Sequence, residues 1–128
     1  MIEWLMFTTI GALLTGGIAG VLARYFVSLA VFDLLGGWLP WGTLAVNLTG
    51  CLFVGFFDAS AAKRGFGGRH GRMLLMTGFC GAYTTFSALI LECDSLLRAA
   101  PLRGAAYVLV SVAAGLALFR VGSVFGGN

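Results

Sequence analysis

Charge is what this chain has least of. Asp, Glu, Lys and Arg make up only 10% of its 128 residues, whereas a soluble domain carries about a quarter. Mean hydropathy is +0.98, which excludes an ordinary water-soluble globule. The acids are Glu3, Asp33, Asp58, Glu92 and Asp94, and the one histidine is His70. No acid–base pair, nucleophile with a partner histidine, or phosphate-cradling glycine loop is legible among them, so the sequence reads poorly as an enzyme. The net charge of +3 comes mainly from connecting segments. It therefore reports membrane topology rather than a nucleic-acid partner. Cysteine is also scarce. Cys51, Cys80 and Cys93 all lie inside apolar stretches, and an odd number without metal spacing reads as reduced core residues.

Long uncharged runs fill the space that charge leaves. They are Trp4–Ala23 (20 residues), Leu34–Phe57 (24), Met73–Leu91 (19) and Gly104–Phe119 (16). About 20 apolar residues rising ~1.5 Å each cross a hydrocarbon core of ~30 Å. The expected fold is therefore all-α, a single four-helix transmembrane domain over residues 1–128. Its crossings are placed at Phe7–Ser28, Trp41–Ala62, Arg72–Leu97 and Gly104–Phe125. The first run is not read as a cleaved signal, because it opens on Glu3 rather than a basic stretch and is long for one.

The connections have their own chemistry. Val31–Pro40 holds Asp33, Gly36, Gly37 and Pro40, and is expected to be a turn or short surface helix. Trp38 and Trp41 flank that proline, as rings at headgroup level do. Lys63–Gly71 reads as a flexible basic loop, and Ala99–Arg103 as a short turn around Pro101. Gly16 and Gly20 leave a small-xxx-small notch on the first crossing, with Arg24 continuing that face. Further glycines on the other crossings point to tight helix contacts. Four short helices are a thin wall for an internal pore, so an oligomer is expected.

Two polar clusters interrupt the apolar runs. Gly78-Phe79-Cys80-Gly81-Ala82-Tyr83-Thr84-Thr85-Phe86-Ser87 lies mid-membrane, where backbone irregularity survives only if buried in protein or lining a cavity. The third crossing is accordingly predicted as two helical pieces joined by non-helical backbone near Gly78–Thr84. The second cluster is Gly42-Thr43-Leu44-Ala45-Val46-Asn47. Thr43 and Asn47 share a helix face and offer hydroxyl and amide donors to an anion without a fixed charge. Tyr107 and Ser111 repeat that spacing on the fourth crossing. The alternative for any one hydroxyl is a bond back to its own helix. Phe86, set between Thr84-Thr85 and Ser87, could turn a positive ring edge toward an anion. Arg24 and Glu92 lie near span ends, where pore roles and snorkelling compete.

In three ordered motifs the chain resembles the small bacterial fluoride channels (Fluc, also called CrcB). They are Gly20-Val21-Leu22-Ala23-Arg24-Tyr25, Gly42 to Gly50, and Thr77 to Ser87 followed by Glu92. Tyr107, Ser111 and Gly115 match more loosely, and the likeness covers essentially the whole chain. The resemblance implies passive fluoride export through the bacterial inner membrane, conferring fluoride resistance. It implies an antiparallel dual-topology dimer with two pores at the subunit boundary. Thr43, Asn47, Thr85, Phe86, Ser87, Tyr107 and Ser111 would line a pore, with Arg24 and Glu92 nearby. Carbonyls of Gly81 and Thr84 would hold a structural sodium ion.

One departure stands out. The family has a second pore phenylalanine where this chain has Leu89. Lys63, Arg64, Arg69 and Arg72 also crowd the end shared with both termini, which favours one orientation over two. Both features fit one half of a heterodimer with a homologous subunit, or a non-conducting subunit of the same fold. A small multidrug exporter is disfavoured, since Glu3 and Glu92 lie too near span ends to exchange protons at mid-membrane.

Overall fold

The computed structural model describes residues 2–65 and 67–128, and among these there is no strand. Helix α1 runs Ile2–Leu35 and α2 runs Trp41–Arg64. The third crossing comprises α3 (Gly68–Arg72), a π-helical segment (Met73–Cys80), α4 (Gly81–Tyr83) and α5 (Phe86–Ala99). Helix α6, Pro101–Gly127, completes the bundle. Four of these helical spans are long and apolar enough to cross a membrane, as the uncharged runs predicted. The chain is a multi-pass membrane protein.

Helix ends lie beyond the expected crossings. Helix α1 continues through Val31–Leu35, in place of the expected turn or short surface helix, because nothing breaks it before Gly36 at φ 73°. At 34 residues it is about 50 Å long and projects past the hydrocarbon core. Lys63 and Arg64 belong to the last turn of α2, which ends at Gly65 in the left-handed conformation. Gly68–Arg72 is a short helix rather than loop. The turn around Pro101 shrinks to Ala100, since proline at the first helical position lacks only a donor the helix cannot use.

Backbone-to-backbone contact holds the bundle together. Helix α1 packs along the π-helical segment and α4, while α2 packs along α6. A Cβ on Gly16 would strike the Leu74 carbonyl, and one on Gly20 the Phe79 carbonyl. The predicted notch is thus the seat of the third crossing. Gly55, Gly122 and Gly126 do the same between α2 and α6. Such approach is how membrane helices gain packing energy when lipid tails are as apolar as their side chains. Large apolar side chains including Phe7, Ile18, Phe26 and Leu109 remain on the outer surface.

Both termini and the basic connection share one end. Lys63 Nζ donates to the carbonyls of Gly127 and Asn128, and His70 Nε2 lies 3.0 Å from Thr8 Oγ1. At the opposite end Trp38 and Trp41 meet edge to face, with ring centroids 5.1 Å apart.

Candidate functional site

The third crossing breaks at Thr84–Thr85, near the midpoint of the 32-residue span Gly68–Ala99. Thr84 (φ −85°, ψ 161°) and Thr85 (φ −149°, ψ 119°) are extended. The predicted interruption exists, but at the far edge of the Gly78–Thr84 window. Gly78 and Gly81 themselves stay helical. Gly78 serves close approach instead, a Cβ there meeting the Leu13 carbonyl at 3.1 Å. The preceding π-helical segment replaces the regular α ladder, as π turns do at functional irregularities.

Asn47 holds the break open. Its Oδ1 accepts from the Thr85 N–H at 2.8 Å, and its Nδ2 donates to the Thr85 carbonyl at 3.0 Å. A side-chain amide thus replaces both halves of a lost backbone pairing at mid-membrane, where lipid supplies no hydrogen bonds. Two carbonyls lose their usual donors as a result. The Thr85 N–H that an α-helix would give to Gly81 goes to Asn47. The Ala88 N–H that would serve Thr84 goes to Thr85 Oγ1 at 3.2 Å, capping α5. Arg24 Nη1 approaches the Thr84 carbonyl at 3.4 Å.

Beside the break lies a groove of about 340 Å³. Asn47, Thr84, Thr85, Phe86, Leu89 and Ser111 contribute to its wall. Residues from α2, the break, α5 and α6 that lie as much as 72 positions apart in sequence (47 to 119) therefore meet on one surface. Phe86 is 74% exposed there. Ser87 is exposed, its Oγ 3.4 Å from Thr85 Oγ1. Donor capacity is unevenly distributed. Ser111 gives its proton to the Tyr107 carbonyl (2.7 Å) and Thr84 gives its own to Cys80 (2.9 Å). Thr85 Oγ1 accepts from Ala88 and shares a hydrogen with Ser87 Oγ, so that pair of hydroxyls keeps one O–H to donate, and the second hydrogen of Asn47 Nδ2 is likewise available.

Other expected residues lie closer to the tryptophan end. Thr43 Oγ1 donates to Glu92 Oε1 at 2.7 Å, and Glu92 Oε2 is buried without a partner among the described residues. Glu92 is thus drawn inward rather than snorkelling. Tyr107 is only 4% exposed, and its hydroxyl donates to the Pro40 carbonyl at 2.9 Å. It and Thr43 are not among the residues that line the groove. Sequence reasoning missed the Thr49–Tyr83 hydroxyl pair (2.8 Å) that ties α2 to α4. Thr49 sits two residues after Asn47 in the quoted motif, but nothing local to it names Tyr83.

Comparison with known proteins agrees with this arrangement. The family model described as "CrcB-like protein, Camphor Resistance (CrcB)" matches residues 11–123. A protein of Rhizobium leguminosarum bv. trifolii named "Fluoride-specific ion channel FluC" is 42% identical over 108 residues, covering 84% of this chain and 86% of its own. Proteins of the same name from Solidesulfovibrio magneticus (44%, covering 73% and 74%) and Allorhizobium ampelinum (41%, covering 88% and 86%) are similarly alike. With four membrane-spanning helices, a third that breaks at mid-membrane and a family match over nearly its whole length, this chain belongs to the CrcB-like family.

Proposed function

We propose that this chain conducts fluoride passively across the bacterial inner membrane, as one half of an antiparallel dimer with two pores at the subunit boundary. The observation that carries the reading is the groove, which gathers polar atoms and an exposed phenylalanine beside a broken helix at mid-membrane. An open groove of this kind becomes an enclosed path only when a second subunit covers it. Along it an anion meets the free hydrogen of Asn47, the Thr85 hydroxyl and the Phe86 ring edge, with the Ser87 hydroxyl beside the groove, 3.4 Å from Thr85 Oγ1. None carries a fixed charge, so the ion is held weakly enough to leave again. The test is fluoride efflux from liposomes holding only this chain, read with a fluoride electrode against chloride efflux. Efflux no faster than from empty liposomes overturns the reading.

Phe86→Leu keeps the bulk and removes the ring edge. Aromatic edge contacts are worth ~0.5–1.5 kcal/mol, so flux should fall about tenfold while the dimer persists on size exclusion. Unchanged flux would remove Phe86 from the path.

Gly81 and Thr84 fit the proposed sodium site, because both carbonyls have lost their helical donors. Carbonyl dipoles of unwound helix suit a bound monovalent cation. When bound, such an ion would supply positive charge at the centre of the dimer. Arg24 Nη1 donates to the Thr84 carbonyl at 3.4 Å, so a sodium ion bound there would replace that guanidinium.

Leu89 supports a second reading, since it lines the groove where the family resemblance expects another ring. In that reading the chain conducts weakly alone and pairs with a homologous subunit of opposite orientation. Leu89→Phe should preserve or raise the flux of a symmetric dimer. Orientation separates the cases. Ala62→Cys, exposed at the basic end, is labelled from one side with Cys51, Cys80 and Cys93 replaced by alanine. Equal labelled and protected fractions together with robust flux favour the symmetric channel. Uniform cytoplasmic placement with poor flux favours the heterodimer.

A further inference from the structure

We propose that the basic end of the bundle holds an anionic phospholipid, with its phosphate on Arg69 and its glycerol and upper acyl segment in an apolar cleft beside α1. The cleft encloses about 340 Å³ and is lined by Leu5, Met6, Thr9, Ile10 and Arg69. It is separate from the groove at the break, with which it shares no lining residue. Its walls are almost wholly apolar, and a single guanidinium closes it.

Depth selects the ligand. Gly20 packs against Phe79 and Tyr83, beside the break at mid-membrane. Twelve residues of helix separate Gly20 from Thr8, about 18 Å, which exceeds the ~15 Å half-thickness of the hydrocarbon core. Thr8 therefore lies at headgroup level. His70 is 3.0 Å from the Thr8 hydroxyl and ties α3 to α1 there. Arg69, the preceding residue, is thus fixed at the height of lipid phosphates rather than in open water.

Charge selects among lipids. Arg72 is paired with Asp58 at 3.1 Å, and Lys63 is engaged by the C-terminal carbonyls. Neither Arg64 nor Arg69 has a carboxylate partner among the described residues. Among the described residues this end thus presents guanidinium groups without carboxylate partners, whose planar fork matches phosphate oxygens. At the opposite end Asp94 answers Arg98 at 2.9 Å, and Arg103 has no carboxylate partner among the described residues. A zwitterionic headgroup brings its own ammonium to the same place and gains less, so phosphatidylglycerol is the preferred occupant.

Trp4, 74% exposed one residue from the cleft, provides the reporter. Trp38 and Trp41, at the far end, are replaced by phenylalanine, and the chain is reconstituted with ring-quenching brominated lipids. Each basic residue near an anionic surface is worth ~1 kcal/mol, so brominated phosphatidylglycerol should quench Trp4 with about fivefold preference over brominated phosphatidylcholine. Arg69→Gln should erase that preference, and Arg103→Gln at the other end should leave it intact. Equal quenching by the two lipids in the parent, or full preference in Arg69→Gln, overturns the proposal. Native mass spectrometry gives an independent reading without tryptophan changes. Phosphatidylglycerol adducts should be retained by the parent and lost from Arg69→Gln, and equal retention again refutes the site.

Discussion

Asn47→Leu is expected to abolish fluoride efflux and to loosen the break it holds. Leucine fills a similar volume but can neither accept from the Thr85 N–H nor donate to the Thr85 carbonyl. Each bond is worth ~1 kcal/mol net, and each orphaned partner in an apolar setting costs ~1–3 kcal/mol. The loss is therefore on the order of several kcal/mol at one residue, enough to let Thr84–Thr85 rewind toward helix. The variant also removes an amide hydrogen from the groove. Flux at the level of empty liposomes, with amide exchange around Thr85 changed from the parent, would match both roles. Parental flux would show that neither matters.

The second large effect concerns α1. Gly20→Leu should prevent a monodisperse protein from being recovered, because the new Cβ meets the Phe79 carbonyl and Tyr83 backbone. Backbone cannot yield as a side-chain tip does, so the helices must part. Overpacking of this kind costs ~3 kcal/mol or more. Gly17→Leu is the control on the same helix, since nothing lies within 4 Å of its Cβ position. It should give a normal size-exclusion peak and an unchanged melting temperature. Equal behaviour of the two variants would show that α1 does not pack through this notch.

The crossings were legible because charges bracket them: Asp33 and Asp58 around the second, Arg72 and Glu92 around the third. Their ends were not. Hydropathy registers contact with lipid, whereas helix ends follow hydrogen bonds, so Lys63 and Arg64 remain helical despite their charge. The glycines around the break drew the expectation toward Gly78 and Gly81. Gly78 in fact shows where α1 comes close, Gly81 stays helical on an exposed face, and the extended pair is Thr84–Thr85. What opens it is Asn47, 38 positions away. No local pattern carries that pairing. Tyr107 and Ser111 do share a helix face, yet Tyr107 turns to Pro40 and Ser111 alone lines the groove. Spacing fixes a face and leaves the partner open.

The interrupted third crossing also constrains how the chain is made. The helix before the break and the helix after it each rise only about 20–25 Å, short of the ~30 Å needed to span. Neither half could be released into lipid alone. The insertion machinery must accept Met73–Leu91 as one continuous uncharged segment, before the interruption has formed. Asn47 belongs to the preceding crossing and is synthesised first. It can pull Thr85 out of the helix only once both segments have left the translocon together. The expected order of biogenesis is thus a continuous rod, opened afterwards by a residue already waiting in the membrane.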